Sequence, residues 1–288
     1  MTIIRGFLGV CLIVGLTRIG YSETQTNAPD WPFFAFDNGA GRDVGWQPDQ
    51  QATILANLNY DGIGYSGLGN VEQRLTAFEK QDLKVFSFYV PCSLEEPQPL
   101  DATTLENLPK LKGTGAILWL LVTGTATEEQ AVIRLRTVAD LANSHSVKVA
   151  LYPHDNTYIE TGEHALRLVK LVKRGNFGLS INICHELKAG TGENLAQLVT
   201  DSIDHLYLVS INGADRLENP DKEKNWIRLI QPLDQGTFDL TPFLKQLRDA
   251  GYKGPIGLQC YLIPGEIETL LERSHTAWAE LLARISAD

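Results

Sequence analysis

Residues 177–187 read FGLSINICHEL, an apolar run that ends in polar side chains able to exchange protons. Short apolar runs with polar residues where they stop recur along the chain, which is typical of buried strands. They lie at Phe33 to Asp37, Gly62 to Ser66, Val85 to Val90, Ala116 to Thr123, Lys148 to His154, Phe177 to His185, His205 to Asn212 and Pro255 to Tyr261. This repetition predicts eight strands whose ends form one functional rim.

Amphipathic helical segments separate these strands. The clearest covers Thr161 to Arg174, where apolar residues recur at helical spacing and leave basic residues for solvent. Two others carry start signals, Thr127 with Gln130 three residues later and Thr241 followed by proline. Gly251 supplies a stop for the second. Strands therefore alternate with helices along the chain.

Eight strands, each followed by a helix, in a mature chain of about 260 residues favour a single-domain (β/α)8 TIM barrel, an α/β fold. The alternative is an open doubly wound sheet, which would prefer a glycine-rich phosphate turn after its first strand. Residues 37–42 read DNGAGR and lack the third glycine of that motif. No linker rich in serine, glycine or proline divides the sequence. We therefore predict one barrel over residues 31–288.

Residues 1–22 have the pattern of an export signal peptide. Arg5 precedes the apolar block Phe7 to Leu16, and small residues up to Ser22 stand at signal-peptidase spacing. The alternative is an uncleaved membrane anchor, although the block is shorter than the roughly 20 residues that span a bilayer. We expect cleavage, a flexible segment at residues 23–30, and a secreted or periplasmic protein without stable membrane insertion.

The net charge limits the classes of partner expected for this chain, and the cysteines limit the cross-links and metal sites expected in it. The formal charge is −10, and loss of Arg5 and Arg18 with the signal makes it more negative still, which repels phosphate backbones. Nucleic acid is therefore not an expected partner. Cys92, Cys184 and Cys260 remain after the signal, without the spacing of a disulfide scaffold or metal site. A single bridge and three buried free thiols both stay open.

Alternation along the strands indicates which side chains meet inside the barrel, because residues two apart share a face. The inward groups near the strand ends are Tyr152 and His154, Ser180, Asn182 and Cys184, Ser210 and Asn212, and Gln259 and Tyr261. The opposite faces carry aliphatic residues such as Ile181 and Leu258, which suit packing under helices. A barrel that needed only a core would be aliphatic inside as well. The polar interior therefore predicts a ligand that hydrogen-bonds to it.

Four short motifs at successive positions resemble the xylose isomerase-like barrel superfamily of sugar and sugar-phosphate isomerases and epimerases. They are YDGIGY at 60–65, ALYPH at 150–154, INICH at 181–185 and QGTFD at 235–239. The likeness covers nearly all of the mature chain. It implies a (β/α)8 barrel and a small-molecule carbohydrate as ligand.

Members of this superfamily usually hold a divalent metal through carboxylates and a histidine at the ends of strands five to eight. The positions that correspond here are Tyr152, Asn182, Ser210 and Gln259, so the chain departs at all four. Amide and hydroxyl oxygens do not supply the negative charge that Mg²⁺ or Mn²⁺ needs. The usual metal site is therefore expected to be lost. The changes to amides keep hydrogen-bonding capacity, which suits a neutral polyol.

His185 survives from the family pattern, and His154 follows the fifth strand. Three roles stay open for the pair: capping of loop carbonyls, acid–base catalysis, and a rebuilt metal site. In the second role Glu186 or Lys188 assists His185. In the third a nearby carboxylate completes the site, from Asp155, Glu186 or Asp37.

The sequence thus predicts a secreted carbohydrate-acting isomerase or epimerase with an atypical site, in which His185 moves a proton next to a carbonyl. Residues 213–238 are long for a barrel connection and are expected to form a lid or pocket wall. The expected substrate-binding residues are Asp37, Tyr152, Asn182, Ser210, Asn212, Gln259 and Trp226. The alternatives are a sugar-binding pseudoenzyme and a glycoside hydrolase or lyase, for which no convincing carboxylate pair is seen. Oligomeric state and metal content are left open.

Overall fold

Eight parallel strands close into a barrel in the computed structural model, which describes residues 29–217 and 226–287. They are β1 (Phe33–Phe36), β2 (Gly62–Ser66), β3 (Lys84–Ser93), β4 (Ile117–Thr123), β5 (Val149–Leu151), β6 (Phe177–Asn182), β7 (Leu206–Ile211) and β8 (Ile256–Leu258). Each strand pairs with its neighbour in sequence, and β8 pairs with β1. This closure confirms the predicted barrel and rules out an open sheet. The expected export signal at residues 1–22 lies outside the described residues.

Helices connect the strands. In the described residues they are α1 (Pro48–Asn57), α2 (Val71–Glu79), α3 (Ala102–Asn107), α4 (Glu128–Ser144), α5 (Gly162–Val172), α6 (Ile183–Lys188), α7 (Leu195–Ser202), α8 (Trp226–Leu229), α9 (Thr241–Asp249) and α10 (Ile267–Ser286). The predicted start signals are confirmed. Thr127 and Gln130 form a capping box on α4, and α9 begins at Thr241 with its proline in the first turn. The Thr161 side chain also caps α5. Gly251, with φ of 79°, follows the end of α9.

Two hydrophobic clusters hold the barrel together. The larger lies between strands and helices and contains the buried outward face of the strands, including Ile181 and Leu258 as predicted. The smaller fills the barrel interior and is mainly aromatic, with the Phe36 and Trp119 ring centroids 4.9 Å apart. Gly257 makes room for these rings, because a Cβ there would lie 2.6 Å from Phe36. The middle of the barrel interior is therefore packed with aromatic side chains.

Three strands end three residues earlier than predicted. β8 stops at Leu258, so Gln259 and Tyr261 lie in the loop after it and do not share a strand face. β6 stops at Asn182, and Cys184 and His185 belong to the short helix α6 instead of the strand. β5 stops before Tyr152, so His154 lies in the loop after it. Over a few residues, alternation of polar and apolar side chains does not distinguish a strand end from one helical turn. Cys184 consequently does not share a strand face with Asn182.

The cysteines of the described residues, Cys92, Cys184 and Cys260, are free and buried, so no bridge joins them. Burial raises the pKa of each thiol to about 12. They therefore stay protonated and unreactive at neutral pH. In residues 29–217 and 226–287, no helix combines the length and apolar character needed to cross a membrane.

Candidate active site

A cavity of about 680 Å³ opens at the carboxyl end of the barrel, where ligands bind in this architecture. Its described lining is Phe36, Asn38, Arg42, Ser66, Tyr89, Trp119, Leu121, Thr123, Tyr152, His154, Asp155, Asn156, Thr157, His185, Trp226, Ile230, Gln259, Tyr261 and Leu262. A second cavity of about 660 Å³ lies at the opposite end of the barrel, and its described lining contains no histidine. The carboxyl-end cavity is therefore the candidate site.

His185 has both ring nitrogens engaged. The backbone N–H of Asp155 donates to Nδ1 at 3.3 Å, and the Tyr152 hydroxyl lies 3.1 Å from Nε2. Because a backbone N–H can only donate, Nδ1 carries no proton and Nε2–H donates to the Tyr152 oxygen. Burial lowers the pKa of His185 well below its ordinary value of 6.5, and the neighbouring His154 lowers it further. His185 is thus a neutral imidazole that orients Tyr152.

The Tyr152 hydroxyl is held from a second side by Gln259. The Gln259 Oε1 accepts from the Tyr261 N–H at 3.1 Å and from the Asn38 amide at 2.6 Å, which leaves its own N–H groups as donors. Burial raises the pKa of Tyr152 well above its ordinary value, and a hydrogen bond from Gln259 opposes that rise. Tyr152 therefore stays protonated. Since both partners donate to its oxygen, its proton is available to a ligand.

His154 is oriented the opposite way. Its Nδ1 lies 2.7 Å from the Asp155 carbonyl, which can only accept, so Nδ1 carries the proton. Burial lowers the pKa of His154, against the effect of the Asp155 hydrogen bond and charge. Neutral His154 keeps a lone pair on Nε2, which makes no hydrogen bond within the described residues. Its ring lies 4.1 Å from that of His185 and 5.2 Å from that of Tyr152, between centroids.

Three of the expected substrate-binding residues lie beneath the cavity and do not line it. The Asn182 amide donates to Pro153 O at 3.2 Å and to Ser180 Oγ at 3.1 Å, and its oxygen accepts from Ser210 Oγ at 2.9 Å. Asn212 donates to two backbone carbonyls. All of these side chains are fully buried. Ser180, Asn182 and Ser210 thus satisfy one another and tie the strand ends together, whereas the buried Asn212 Oδ1 has no hydrogen-bond partner within the described residues.

Asp37 is buried behind the cavity wall. It accepts from the Ser66 N–H at 2.9 Å and from the Ser66 hydroxyl at 2.8 Å, and it pairs with Arg42 at 3.5 Å. Burial raises the pKa of Asp37, while the Ser66 hydrogen bonds lower it. Asp37 therefore positions Ser66 and Arg42, which do line the cavity. Sequence reasoning missed Arg42, although it stands in the DNGAGR turn directly after β1.

Trp226 forms part of the cavity wall. Its ring lies 5.3 Å from the His185 ring, edge-on. The connection that carries it is anchored by an antiparallel bridge between Gly213 and Gln231. The described parts of the predicted wall segment therefore reach the cavity, while residues 218–225 lie outside the described residues.

Glu186 and Lys188 are buried in α6, and the described lining of the cavity includes neither. The Glu186 carboxylate accepts from the Gly162 N–H at 2.6 Å and from the Thr191 hydroxyl at 2.5 Å. Burial raises its pKa, and these two hydrogen bonds lower it. Glu186 thus ties α6 to the start of α5.

A pair of substitutions tests this structural role. We expect Glu186→Gln to keep an acceptor for Gly162 and to leave activity unchanged, whereas Glu186→Ala should lower the free energy of unfolding by about 2 kcal/mol because it orphans a buried N–H. Urea denaturation and a turnover assay on both variants measure the difference. A folded Glu186→Gln protein without turnover would instead place the carboxylate in the chemistry.

The strand-end positions do not fit a divalent metal. Tyr152, Asn182, Ser210 and Gln259 supply no carboxylate, and hydrogen bonds within the protein engage all four. A rebuilt site would need His185, both of whose nitrogens are occupied. Within residues 29–217 and 226–287, no group of three or more His, Cys, Asp or Glu side chains could hold an ion. No step of the chemistry below is therefore assigned to a metal.

Comparison with known proteins agrees with this architecture. The solved structures that resemble the chain include 3-keto-D-glucoside 4-epimerase from E. coli, with 16% identity, a TM-score of 0.68, and 87% of this chain and 99% of that one covered. A D-allulose 3-epimerase from Methylomonas sp. has 16% identity and a TM-score of 0.66, with 88% and 98% covered. A xylose isomerase domain protein from Alicyclobacillus acidocaldarius has 19% identity and a TM-score of 0.68, with 90% and 99% covered.

No curated protein matches the chain. The sequence profile of the family described as xylose isomerase-like TIM barrel matches residues 115–282, which is more than half of the sequence. Together with the closed eight-stranded barrel, this match identifies the chain as a member of the xylose isomerase-like TIM barrel family.

Proposed function

We propose that this protein binds a carbohydrate in the carboxyl-end cavity and acts as an isomerase or epimerase that moves a proton next to a carbonyl. The observation that carries the proposal is the pairing of a free basic nitrogen on His154 with an available proton on Tyr152 in one cavity. The aromatic lining suits the apolar face of a sugar ring. The epimerases with similar folds, which act on sugars by their names, support the same substrate class.

In the proposed mechanism, neutral His154 Nε2 takes a proton from a carbon next to a carbonyl, and Tyr152 donates a hydrogen bond to the oxygen that becomes negative. His185 and Gln259 hold the phenol in place and do not exchange the substrate proton. This assigns the base to His154, whereas the sequence pattern favoured His185. Because one base removes the proton and returns it on the same face, the arrangement suits an isomerase shift of the carbonyl between adjacent carbons, in which the neighbouring hydroxyl proton passes to the former carbonyl oxygen beside Tyr152.

The test follows hydrogen exchange by NMR, which requires no knowledge of the product. The protein is incubated in D₂O with a panel of ketoses, aldoses and ketoglycosides, with and without EDTA. We expect deuterium to enter the position next to the carbonyl of at least one sugar at a rate that EDTA does not change. If calorimetry detects sugar binding but NMR detects no exchange, the protein is a pseudoenzyme. The hydrogen bonds that already engage the polar groups around Asn182 would then explain the absence of turnover.

The rate should depend on pH through His154. Burial lowers its pKa from 6.5, so the base is neutral at and above that pH and becomes protonated only below it. We expect kcat/KM to be flat from pH 6.5 to 8 and to fall at lower pH. An acid limb centred above pH 6.5 would contradict the assignment.

A stability control accompanies the pH profile. His154 and His185 both have lowered pKa values in the folded protein, so the unfolded chain binds more protons below pH 6.5. Stability therefore falls as the pH drops below 6.5. Measuring Tm at each pH separates loss of turnover from unfolding.

We also propose that the protein works outside the cytoplasm, as the pattern of residues 1–22 indicates. Amino-terminal sequencing of the protein recovered from its native host tests this. A mature chain that starts at Glu23 in the periplasm or medium is expected. An intact Met1 in the cytoplasmic fraction would contradict it.

A further inference from the structure

The lining of the carboxyl-end cavity includes both polar side chains and exposed apolar ones. On one side, the end of β4 and the loop after β5 contribute polar residues to the lining, among them Thr123, Asp155 and Thr157. On the other, the loop after β8 contributes Tyr261 and Leu262, which are 43% and 65% exposed. Exposed aromatic and branched aliphatic side chains at a cavity mouth are costly in water unless something covers them.

The loops after β7 and β1 carry two further exposed apolar side chains. Ile227 follows the cavity-lining Trp226 and is 70% exposed, and Val44 follows the cavity-lining Arg42 closely and is 64% exposed. Because β8 pairs with both β7 and β1, these loops are neighbours around the barrel. We call Val44, Ile227, Tyr261 and Leu262 the apolar rim.

Leu262 carries a second, independent sign of function. Its φ is 57°, in the left-handed region where a branched side chain costs about 1–2 kcal/mol and where Gly or Asn is the comfortable residue. The Ile263 N–H to Cys260 carbonyl bond closes the turn around it. A leucine at this position is thus both strained and exposed. Such strain tends to persist where a side chain serves a ligand.

We infer that the carbohydrate carries an apolar substituent, such as an aryl or alkyl group in glycosidic linkage, which rests on the apolar rim while the sugar ring lies against His154 and Tyr152. This inference rests on the proposed function and adds the substrate class. A glycoside keeps its ring closed, so the carbonyl used in the proposed chemistry would be a ketone on the ring.

A second copy of the chain is a less suitable occupant. Tyr261 and Leu262 line the cavity itself, so they face its contents as well as the exterior. Four side chains offer much less than the roughly 800 Å² per partner of a standard protein interface. An apolar substituent that extends out of the cavity needs only a small apolar surface to rest on.

The experiment compares matched ligands by isothermal titration calorimetry on the full-length mature protein. Methyl and phenyl β-glycosides of glucose, galactose and xylose, with their 3-keto forms, differ within each pair only in the apolar group. We expect the phenyl member of the bound pair to bind about 10-fold more tightly in the native protein. The Tyr261→Ser/Leu262→Asn double variant should reduce that ratio to about 1.

Two controls secure the interpretation. Ile133→Ser removes a side chain that is 57% exposed on α4 and is not among the described residues that line the cavity, so it should keep the 10-fold ratio. Leu262→Asn alone should not lower Tm, because Asn tolerates a positive φ. Loss of the ratio with Tm retained would therefore come from the rim and not from unfolding.

Each contrary outcome is distinct. Equal binding of methyl and phenyl glycosides, or a ratio that survives the double variant, would overturn the inference and leave the proposed function standing. A dimer in sedimentation that the double variant abolishes would overturn it in favour of an interface between copies. Binding of no sugar at all would overturn the proposed function, and this inference with it.

Discussion

Replacing His154 with Asn should lower the rate of proton exchange about 1,000-fold, since general bases contribute roughly 10²–10⁴. The Asn amide N–H can take the place of Nδ1–H and keep the hydrogen bond to the Asp155 carbonyl, so the loop is preserved. Only the basic nitrogen is lost. Sugar binding, measured by calorimetry, should stay within about threefold because binding does not depend on the lone pair.

His145→Asn is the matched control, since His145 is the carboxyl-terminal cap of α4 and takes no part in the cavity. It should leave the exchange rate unchanged. A His154→Asn protein with native exchange would show that His154 is structural, and the base would have to be sought elsewhere.

The same assay separates His154 from His185. His185→Asn removes the donor to Tyr152 and should slow exchange about 10–100-fold by misplacing the phenol. The acid limb of the pH profile should stay where it is, because that limb belongs to His154. A limb that disappears in the His185 variant would reverse the two roles.

Asn182→Asp should lower the free energy of unfolding by about 3 kcal/mol at pH 7, although it restores the carboxylate usual at this position in the family. The new oxygen would face the Pro153 carbonyl, to which the Asn182 amide now donates, and the charge would be buried without a cation. Desolvation would raise the pKa of the new carboxyl group. The loss of stability should therefore grow as pH rises from 5 to 8.

Urea denaturation at both pH values measures this effect. Asn143→Asp, on the exposed face of α4, is the control and should change stability by less than about 0.5 kcal/mol. If Asn182→Asp were instead stable and gained Tm on addition of Mn²⁺, the ancestral metal cage would still be present, and the neutral hydrogen-bond network described here would be wrong.

The local sequence pattern was sufficient to predict the barrel. The eight apolar runs, the Thr127 and Gln130 capping box and the outward-facing Ile181 and Leu258 depend on neighbours a few residues away, and all are confirmed. The predicted end of β6 was wrong because the short helix at Ile183–Lys188 has no local sequence pattern that distinguishes it from a strand end.

The site depended on contacts that alternation cannot reveal. The sequence predicted Tyr152, His154 and Gln259 near the strand ends, and the structure brings them to one cavity. It did not reveal that Asn182 and Ser210, which are 28 residues apart, hydrogen-bond to each other beneath that cavity. Two polar residues on neighbouring strands look alike in sequence whether they face a ligand or one another.

The positions of the protons on the two histidines also depend on tertiary contacts. The sequence pattern favoured His185 as the base, because residue type gives both rim histidines the same intrinsic chemistry and only His185 matched the family motif. Asp155 distinguishes them, because its N–H donates to one ring and its carbonyl accepts from the other. Composition and periodicity determine which groups reach the end of a barrel strand. The protonation states of these groups, and the lone pairs left available on them, depend on donors and acceptors from other parts of the chain. Those parts meet only when the barrel closes.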